Sequence, residues 1–313
     1  SVIEKELDSL GIGFHAWYPE SSLHTSGAVE AAIELLVAND QTQVKDGALW
    51  LKAGPDKEKV LKRKDGRTTY LASDLAYHKD KLARDFDLCI NVWGADHHGY
   101  AEPLKAGLAA LGSDTKKLKI LLVQMVRLIK DGSPVTLSKR AGDYLTLGEI
   151  AQDVGKDAMR FFLNARTPTA QLDFDLDLAK KKGSENPVYL VEYAHARVAS
   201  ILREKLARKI VWDAESADGM PAIEQDAKTR MLVTEIGLFQ EALKTCMRHY
   251  SPHHLTNYLL SLARDFHGYY ETHPILSETD GTLAYSRLRV CLAVKSVLYT
   301  GLGLLGITAP EKM

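Results

Sequence analysis

The chain has 313 residues, 45% hydrophobic and 26% charged, with a formal net charge of −1. Those values exclude an intrinsically disordered chain and a globally basic nucleic-acid binder, so an RNA partner would have to be met by local patches. Three well-separated cysteines, Cys89, Cys246 and Cys291, fit neither a disulfide framework nor a zinc spacing, and point to a reducing cytosol. No apolar run approaches the roughly 20 residues of a membrane span. The start, Ser1-Val2-Ile3-Glu4-Lys5, is not a signal peptide and lacks an initiator Met, so either a fragment or a processed chain is expected.

In chain order, Val29 to Val37 reads as an amphipathic helix, and Val44 to Leu51 as a hairpin around Asp46-Gly47. Thr68-Thr69-Tyr70-Leu71 is strand-like, with Ser73 as N-cap of a helix from Asp74 to Ala83. Leu88 to Trp93 reads as a buried strand, Gly94-Ala95-Asp96-His97-His98-Gly99 as its exit loop, and Tyr100 to Leu111 as a helix stopped by Gly112. Ile120 to Val123 is a second buried strand. Two successive βα units predict a parallel, nucleotide-binding type of sheet. After the turn Lys130-Asp131-Gly132-Ser133-Pro134, Thr146-Leu147-Gly148-Glu149 is a capping box for a helix ending near Gly155, and a further helix spans Asp157 to Asn164. Arg166 to Pro187 reads as a loop. Beyond it the strand signals stop. Val188–Lys209, Ala227–Arg248, His253–Thr272 and Leu283–Leu305 carry apolar residues at helical spacing, which predicts a separate helical bundle.

Four polar constellations stand out. Thr136-Leu137-Ser138-Lys139-Arg140, ending at Gly142, is either a loop that closes over a polyphosphate or a solvated basic turn. Tyr70 and Asp74 flank a strand-to-helix turn, where a carboxylate suits a guanidinium or ammonium ligand; the alternative is that Asp74 simply favours the first helical turn. Asp96-His97-His98 admits substrate or nucleotide contact, a structural loop, or a metal site with His78. In Tyr189-Leu190-Val191-Glu192-Tyr193-Ala194-His195-Ala196-Arg197 the aromatics read as core, with His195 and Arg197 on different faces. Arg203, Lys205, Arg208 and Lys209 form either an RNA-facing patch or a solvated helix face.

Together these pieces resemble the arginyl-tRNA synthetases, members of the class I aminoacyl-tRNA synthetases. The resemblance rests on Leu10-Gly11-Ile12 with Trp17 and Ser21-Ser22-Leu23, on Asp65 to Tyr70, on Asp74 to Lys81, and on Trp93 to Tyr100. It continues through Leu137 to Asp143, Asp173-Phe174-Asp175-Leu176 and Asn186-Pro187 to Arg197, and so covers essentially the whole chain. It implies an α/β fold followed by an all-α one. Residues 1–183 would be part of a Rossmann-type catalytic domain with a parallel sheet and a signature loop at 135–143, and residues 184–313 a helical anticodon-binding domain.

The implied activity is ATP-dependent conversion of arginine to arginyl-adenylate and its transfer to arginine-specific tRNA, with Mg²⁺ accompanying ATP. Ser138, Lys139 and Arg140 would act catalytically on the phosphates. Tyr70, Asp74 and His98 would hold arginine. Gly94, Asp96, His97, Leu137, Ser138 and Lys139 would contact ATP, and Tyr193, Arg197 and Met313 the tRNA. No metal site of the protein's own is implied. A cytoplasmic protein, monomeric at full length and without a membrane partner, is expected. The sequence departs from the family at Thr136, where the Lys-Met-Ser-Lys-Ser signature has its first lysine, and at His98, where some relatives have glutamine. None of the 11 histidines forms a His-x-Gly-His motif. A truncation at the front is therefore expected, with loss of activation by the chain alone. Alternatives are another class I synthetase or nucleotidyltransferase, a non-catalytic tRNA-binding module, and a metal-dependent hydrolase using His78, His97 and His98.

Overall fold

A computed structural model describes residues 2–52, 58–135, 145–212 and 226–313. Two compact units divide the chain: Phe14–Met125, and Ser1–Gly13 together with Val126–Met313.

Helix α1 (Val2–Ser9) belongs to the second of these units, and the Phe14–Met125 unit opens with α2 (Ser21–Thr25) and α3 (Ala28–Ala38). Strands β1 (Thr42–Lys45), β2 (Ala48–Leu51) and β3 (Lys59–Lys62) form an antiparallel sheet in that order. The predicted hairpin is present. Asp46 and Gly47 take φ of 52° and 76°, the left-handed pair that a two-residue hairpin turn needs. Helix α4 (Tyr70–Leu82) follows, then β4 (Cys89–Gly94), a 3₁₀ turn (Ala95–Tyr100), α5 (Ala101–Ala110) and β5 (Leu118–Val123). β4 and β5 pair in parallel, as the βα pattern predicts. The core gathers Leu36 from α3, Leu51 and Leu61 from the antiparallel sheet, Leu75 from α4 and Leu104 and Leu108 from α5. Gly107 lets α5 approach closely: a Cβ there would sit 2.6 Å from Leu75 Cδ2 and 3.1 Å from Leu51 Cδ2.

Two local expectations change. Helix α4 starts at Tyr70, four residues before the predicted Asp74, so Ser73 is a buried residue of the helix and not its cap. Thr69 is the extended N-cap residue, but its hydroxyl donates to the Val60 carbonyl at 2.6 Å instead of capping. The strand-like stretch thus ends at Thr69: Thr68 bridges Lys62 and Thr69 is extended, while Leu71 and Ala72 are buried on the helix. Strand β4 is also less buried than its apolar run implies. Asn91 is 5% exposed, whereas its neighbours Ile90 and Val92 are 46% and 65% exposed, because alternate residues face opposite sides and one side alone is covered.

In the other unit, α1 accompanies β6 (Val126–Lys130), β7 (Ser133–Pro134) and β8 (Leu172–Asp175), ordered β7-β6-β8, with β6 and β8 parallel. The predicted Asp131-Gly132 turn joins β6 to β7. Helices α6 (Leu147–Val154) and α7 (Lys156–Leu163) precede β8, and α8 (Leu176–Lys180) follows it. The capping box at α6 is complete: the Glu149 amide donates to the Thr146 hydroxyl, and the Thr146 amide to the Glu149 carboxylate at 2.7 Å. The predicted loop 166–187 therefore contains a strand and a short helix. Leu172 and Phe174 alternate into the core, and the Asp175 carboxylate caps α8 by accepting from the Asp177 and Leu178 amides.

The bundle comprises α9 (Pro187–Ala207), α10 (Ala227–Gly237), α11 (Phe239–His249), α12 (His253–Thr272) and α13 (Gly281–Leu304). The single helix predicted over 227–248 is two helices broken at Leu238. The Tyr258 hydroxyl donates to the Glu235 carbonyl at 2.8 Å and so satisfies a last-turn acceptor of α10 from outside. One core runs from Leu10 through Phe161, Phe174 and Val191 to Phe266 and Leu298. Among the described residues, no helix is long and apolar enough to cross a membrane.

Candidate functional site: a buried carboxylate on α4 and an aromatic–arginine pocket in the bundle

Asp74 is held by α4, whose other face is the core of its unit. Burial raises its carboxyl above the usual carboxylate range, and Glu20 adds to this. The Tyr100 hydroxyl, Lys81 and His97 oppose the rise without cancelling it. The Tyr100 hydroxyl is buried facing Asp74 yet completes no hydrogen bond of ordinary geometry, and burial and the adjacent carboxylate together push that phenol upward. A half-buried carboxylate with spare acceptor capacity is the complement of a guanidinium, whose fork of donors can use both oxygens.

One turn along, a chain of hydrogen bonds fixes the local frame. Lys81 Nζ lies 2.7 Å from Asn91 Oδ1, and lysine can only donate. The Asn91 amide nitrogen therefore faces His78 Nε2, 2.6 Å away, which must accept. That leaves the proton of His78 on Nδ1, donating to the Asp74 carbonyl at 2.7 Å. Burial, with Lys81 nearby, pushes the His78 imidazole down to about 4. Both ring nitrogens thus have protein partners, which removes His78 from the proposed metal set. Among the described residues, no cluster of three or more histidines, cysteines or carboxylates is placed to hold a metal. Trp93 stands beside His78, His97 and Tyr100, with ring centroids at 6.3, 6.3 and 5.9 Å.

His97 thus lies against Trp93 and close enough to Asp74 to act on its charge. Gly94 ends β4, and a Cβ there would fall 2.4 Å from Asp96 Oδ1, so a side chain at this position would displace the Asp96 carboxylate. Asp96 and His97 lie 3.7 Å apart on the exposed 3₁₀ turn. His98 is turned into the same turn, with Nδ1 3.2 Å from the Ala95 carbonyl. Tyr70 is 80% exposed and lines a separate cavity of about 290 Å³ with Glu20, His24, Arg63 and Arg67. Leu137, Ser138, Lys139 and Arg140 lie outside the described residues. The sequence reading assigned no role to Lys81, Asn91, Trp93 or Tyr100. A signal for Asn91 existed, as an amide in the middle of an otherwise apolar strand.

The bundle holds a second polar site. On α9, Tyr193 stacks on Tyr189 at 6.0 Å and on His267 of α12 at 5.6 Å. The Arg197 guanidinium sits 4.8 Å from the Tyr193 ring and 4.7 Å from the Tyr270 ring. These three groups, with Arg203 and Met313, line a cavity of about 330 Å³. The structure so joins Met313 to Tyr193 and Arg197, more than 100 residues earlier in the sequence. His195 is on another face of α9, fully buried, with Nδ1 donating to the Pro310 carbonyl at 2.9 Å. Of the basic patch, Arg203 donates to the Glu311 carbonyl, Lys205 lies over Trp212 at 5.1 Å, and Arg208 pairs with Glu204.

Residues 191–313 match the family described as the DALR anticodon binding domain. The chain is 43% identical to the arginine–tRNA ligase of Thioalkalivibrio sulfidiphilus over 99% of this chain and 53% of that protein. It is 45% identical to the Aquifex aeolicus arginine–tRNA ligase over 99% of this chain and 54% of that one. A Campylobacter jejuni structure described as an arginyl-tRNA synthetase superposes with a TM-score of 0.85 at 30% identity, covering 100% of this chain and 67% of that one. The chain spans about half the length of the curated relatives it matches. With parallel sheet, helical bundle and both polar sites in place, the chain belongs to the arginyl-tRNA synthetase family.

Proposed function

We propose that this chain supplies the arginine pocket and the tRNA-binding bundle of an arginine–tRNA ligase. The functional boundary falls between residues 183 and 184. The observation that carries the reading is the Asp74 carboxylate, half-buried, facing the Tyr100 hydroxyl, and framed by the hydrogen-bonded His78–Asn91–Lys81 chain. Arginine presents its guanidinium to Asp74 beside Tyr100 and His97, and Tyr70 and His98 reach the amino acid only by turning from the neighbouring cavity and the 3₁₀ turn that hold them here. An uncharged analogue leaves that carboxylate unpaired and is rejected by about 10⁴-fold or more.

In the reaction, an arginine carboxylate oxygen attacks the α-phosphorus of ATP, pyrophosphate departs, and a tRNA terminal hydroxyl then displaces AMP. Gly94, Asp96 and His97 contact the nucleotide. Lys139 and Arg140 neutralise the phosphates, the Ser138 hydroxyl and the Leu137 backbone donate hydrogen bonds to them, and Mg²⁺ accompanies ATP. The contribution of these groups is positioning and electrostatic stabilisation, with no covalent enzyme intermediate. Tyr193, Arg197 and Met313 take an unpaired base of arginine-specific tRNA, since stacked rings and a guanidinium plane form the platform on which splayed bases are held. The work is cytoplasmic, and the full-length enzyme is a monomer.

Calorimetric titration of the chain with arginine, lysine and glutamine tests the pocket. Binding of arginine alone, abolished by Asp74→Ala, is expected; equal binding of lysine sinks the assignment. In pyrophosphate exchange with ATP, arginine and tRNA, the chain by itself is expected to show no activity.

A further inference from the structure

Beyond the packing of Ile307 and Ala309 on the core, three side chains hold the last residues of the chain. His195, buried on α9, donates from Nδ1 to the Pro310 carbonyl at 2.9 Å. Arg203 donates to the Glu311 carbonyl, and Lys295 of α13 pairs with the Glu311 carboxylate at 2.6 Å. Lys312 and Met313 line the same cavity as Tyr193, Arg197 and Tyr270. The two ion-type contacts lie at the surface, where water competes with them. The His195 bond is sheltered, its ring 6.2 Å from the overlying Tyr299. Its other nitrogen is buried without a partner, so that ring is fixed with Nδ1 as the donor.

We infer that residues 309–313 are a latch forming one wall of the RNA pocket, and that His195 is the positioning residue that fastens it. His195 touches no RNA; it acts through the Pro310 carbonyl. This rests on the RNA reading of the pocket. Its partner is a single unstacked nucleobase, gripped between the aromatic–guanidinium platform and the Met313 thioether.

The test uses the 313-residue chain and a short stem–loop RNA carrying an arginine anticodon, with affinity read by fluorescence anisotropy. Hydrogen–deuterium exchange of the tail amides is measured without RNA. His195→Ala is expected to speed tail exchange and weaken RNA binding about tenfold, the scale of one lost stacking contact. A chain ending at Pro310 should lose affinity by the same factor, and His195→Ala within it should add nothing. His195→Asn restores both readouts, because its side-chain amide donates from nearly the same place as Nδ1. Arg197→Ala combined with either change should multiply the loss. The inference is overturned if the tail stays protected in His195→Ala, if RNA affinity there is unchanged although shortening the chain weakens it, or if the two losses multiply. If shortening the chain and Arg197→Ala both leave affinity unchanged, the RNA reading itself fails and the latch falls with it.

Discussion

The Asn91 side-chain amide donates to His78 Nε2 at 2.6 Å, from the middle of a strand into the side of a helix. That bond, with Lys81 behind it, makes His78 a neutral structural histidine. Its consequence is a pH dependence with a defined sign. The imidazole titrates near 4 in the folded chain against the usual 6.5. The stabilisation of the neutral form is complete above 6.5 and disappears as pH falls towards 4, amounting to at most about 3 kcal/mol. His78→Gln should flatten urea stability between pH 7 and pH 4.5; a His78 NMR titration with an ordinary midpoint would contradict the account. Asn91→Ala, which strands both Lys81 and His78, should cost about 2 kcal/mol at pH 7.

Asp74 makes the opposite trade. Burial raises its carboxyl, so its charge opposes folding as pH rises through that range. It is the backbone carbonyl of Asp74, not its side chain, that holds His78. Asp74→Asn should therefore fold, melt slightly higher than the parent at pH 7, and bind arginine at least 100-fold more weakly, the pattern of a site that sacrifices stability for recognition. Calorimetry paired with a thermal melt checks both halves.

Arg160 clamps two chain ends within one unit. It donates to the Leu305 carbonyl at 2.6 Å and the Leu10 carbonyl at 2.9 Å. Gly306, at φ of 68°, lies against the guanidinium, where a Cβ would be 2.4 Å from an arginine nitrogen. Arg160→Ala should cost about 2–3 kcal/mol, because two carbonyls lose a charged donor. Gly306→Ala combines backbone strain with that clash. In the Arg160→Ala background only the strain, about 1 kcal/mol, should remain. Denaturant melts of the four proteins measure the coupling.

Glu192 on α9 is pushed up to about 7 by burial and by Asp157 on α7, one of whose oxygens is buried without a partner. A raised carboxyl favours the folded state while protonated. Its contribution is therefore full below about 4.5 and is lost as pH rises through 7. Thermal melts at pH 6 and pH 8 should show the wild type losing stability and Glu192→Gln losing less. Equal losses in the two proteins would remove Glu192 from the account.

Much of the fold was legible because its signals are local. The α12 prediction, His253–Thr272, coincides with the helix observed. The Asp46-Gly47 hairpin and the Thr146 capping box follow from turn and capping chemistry confined to a few residues. Segment 166–187 was not legible, since β8 exists through pairing with β6, some 46 residues earlier along the Arg127–Asp173 ion pair. The break at Leu238 follows Gly237, a weak breaker hidden inside a helical apolar pattern, and Tyr258 donates to the Glu235 carbonyl there from another helix.

The site divides the same way. The sequence by itself determined the parallel βα pattern, the helical bundle, and the residue types gathered at Asp74, Asp96–His98 and Tyr193–Arg197. Apolar periodicity and turn chemistry are short-range free energies that a reader can sum along the chain. Tertiary structure alone decided that Asp74 is desolvated, that His78 is locked by Asn91 and so unavailable to a metal, and that Met313 meets Arg197. Desolvation and buried hydrogen bonds depend on partners brought from afar, and the His195–Pro310 bond closes over 115 residues.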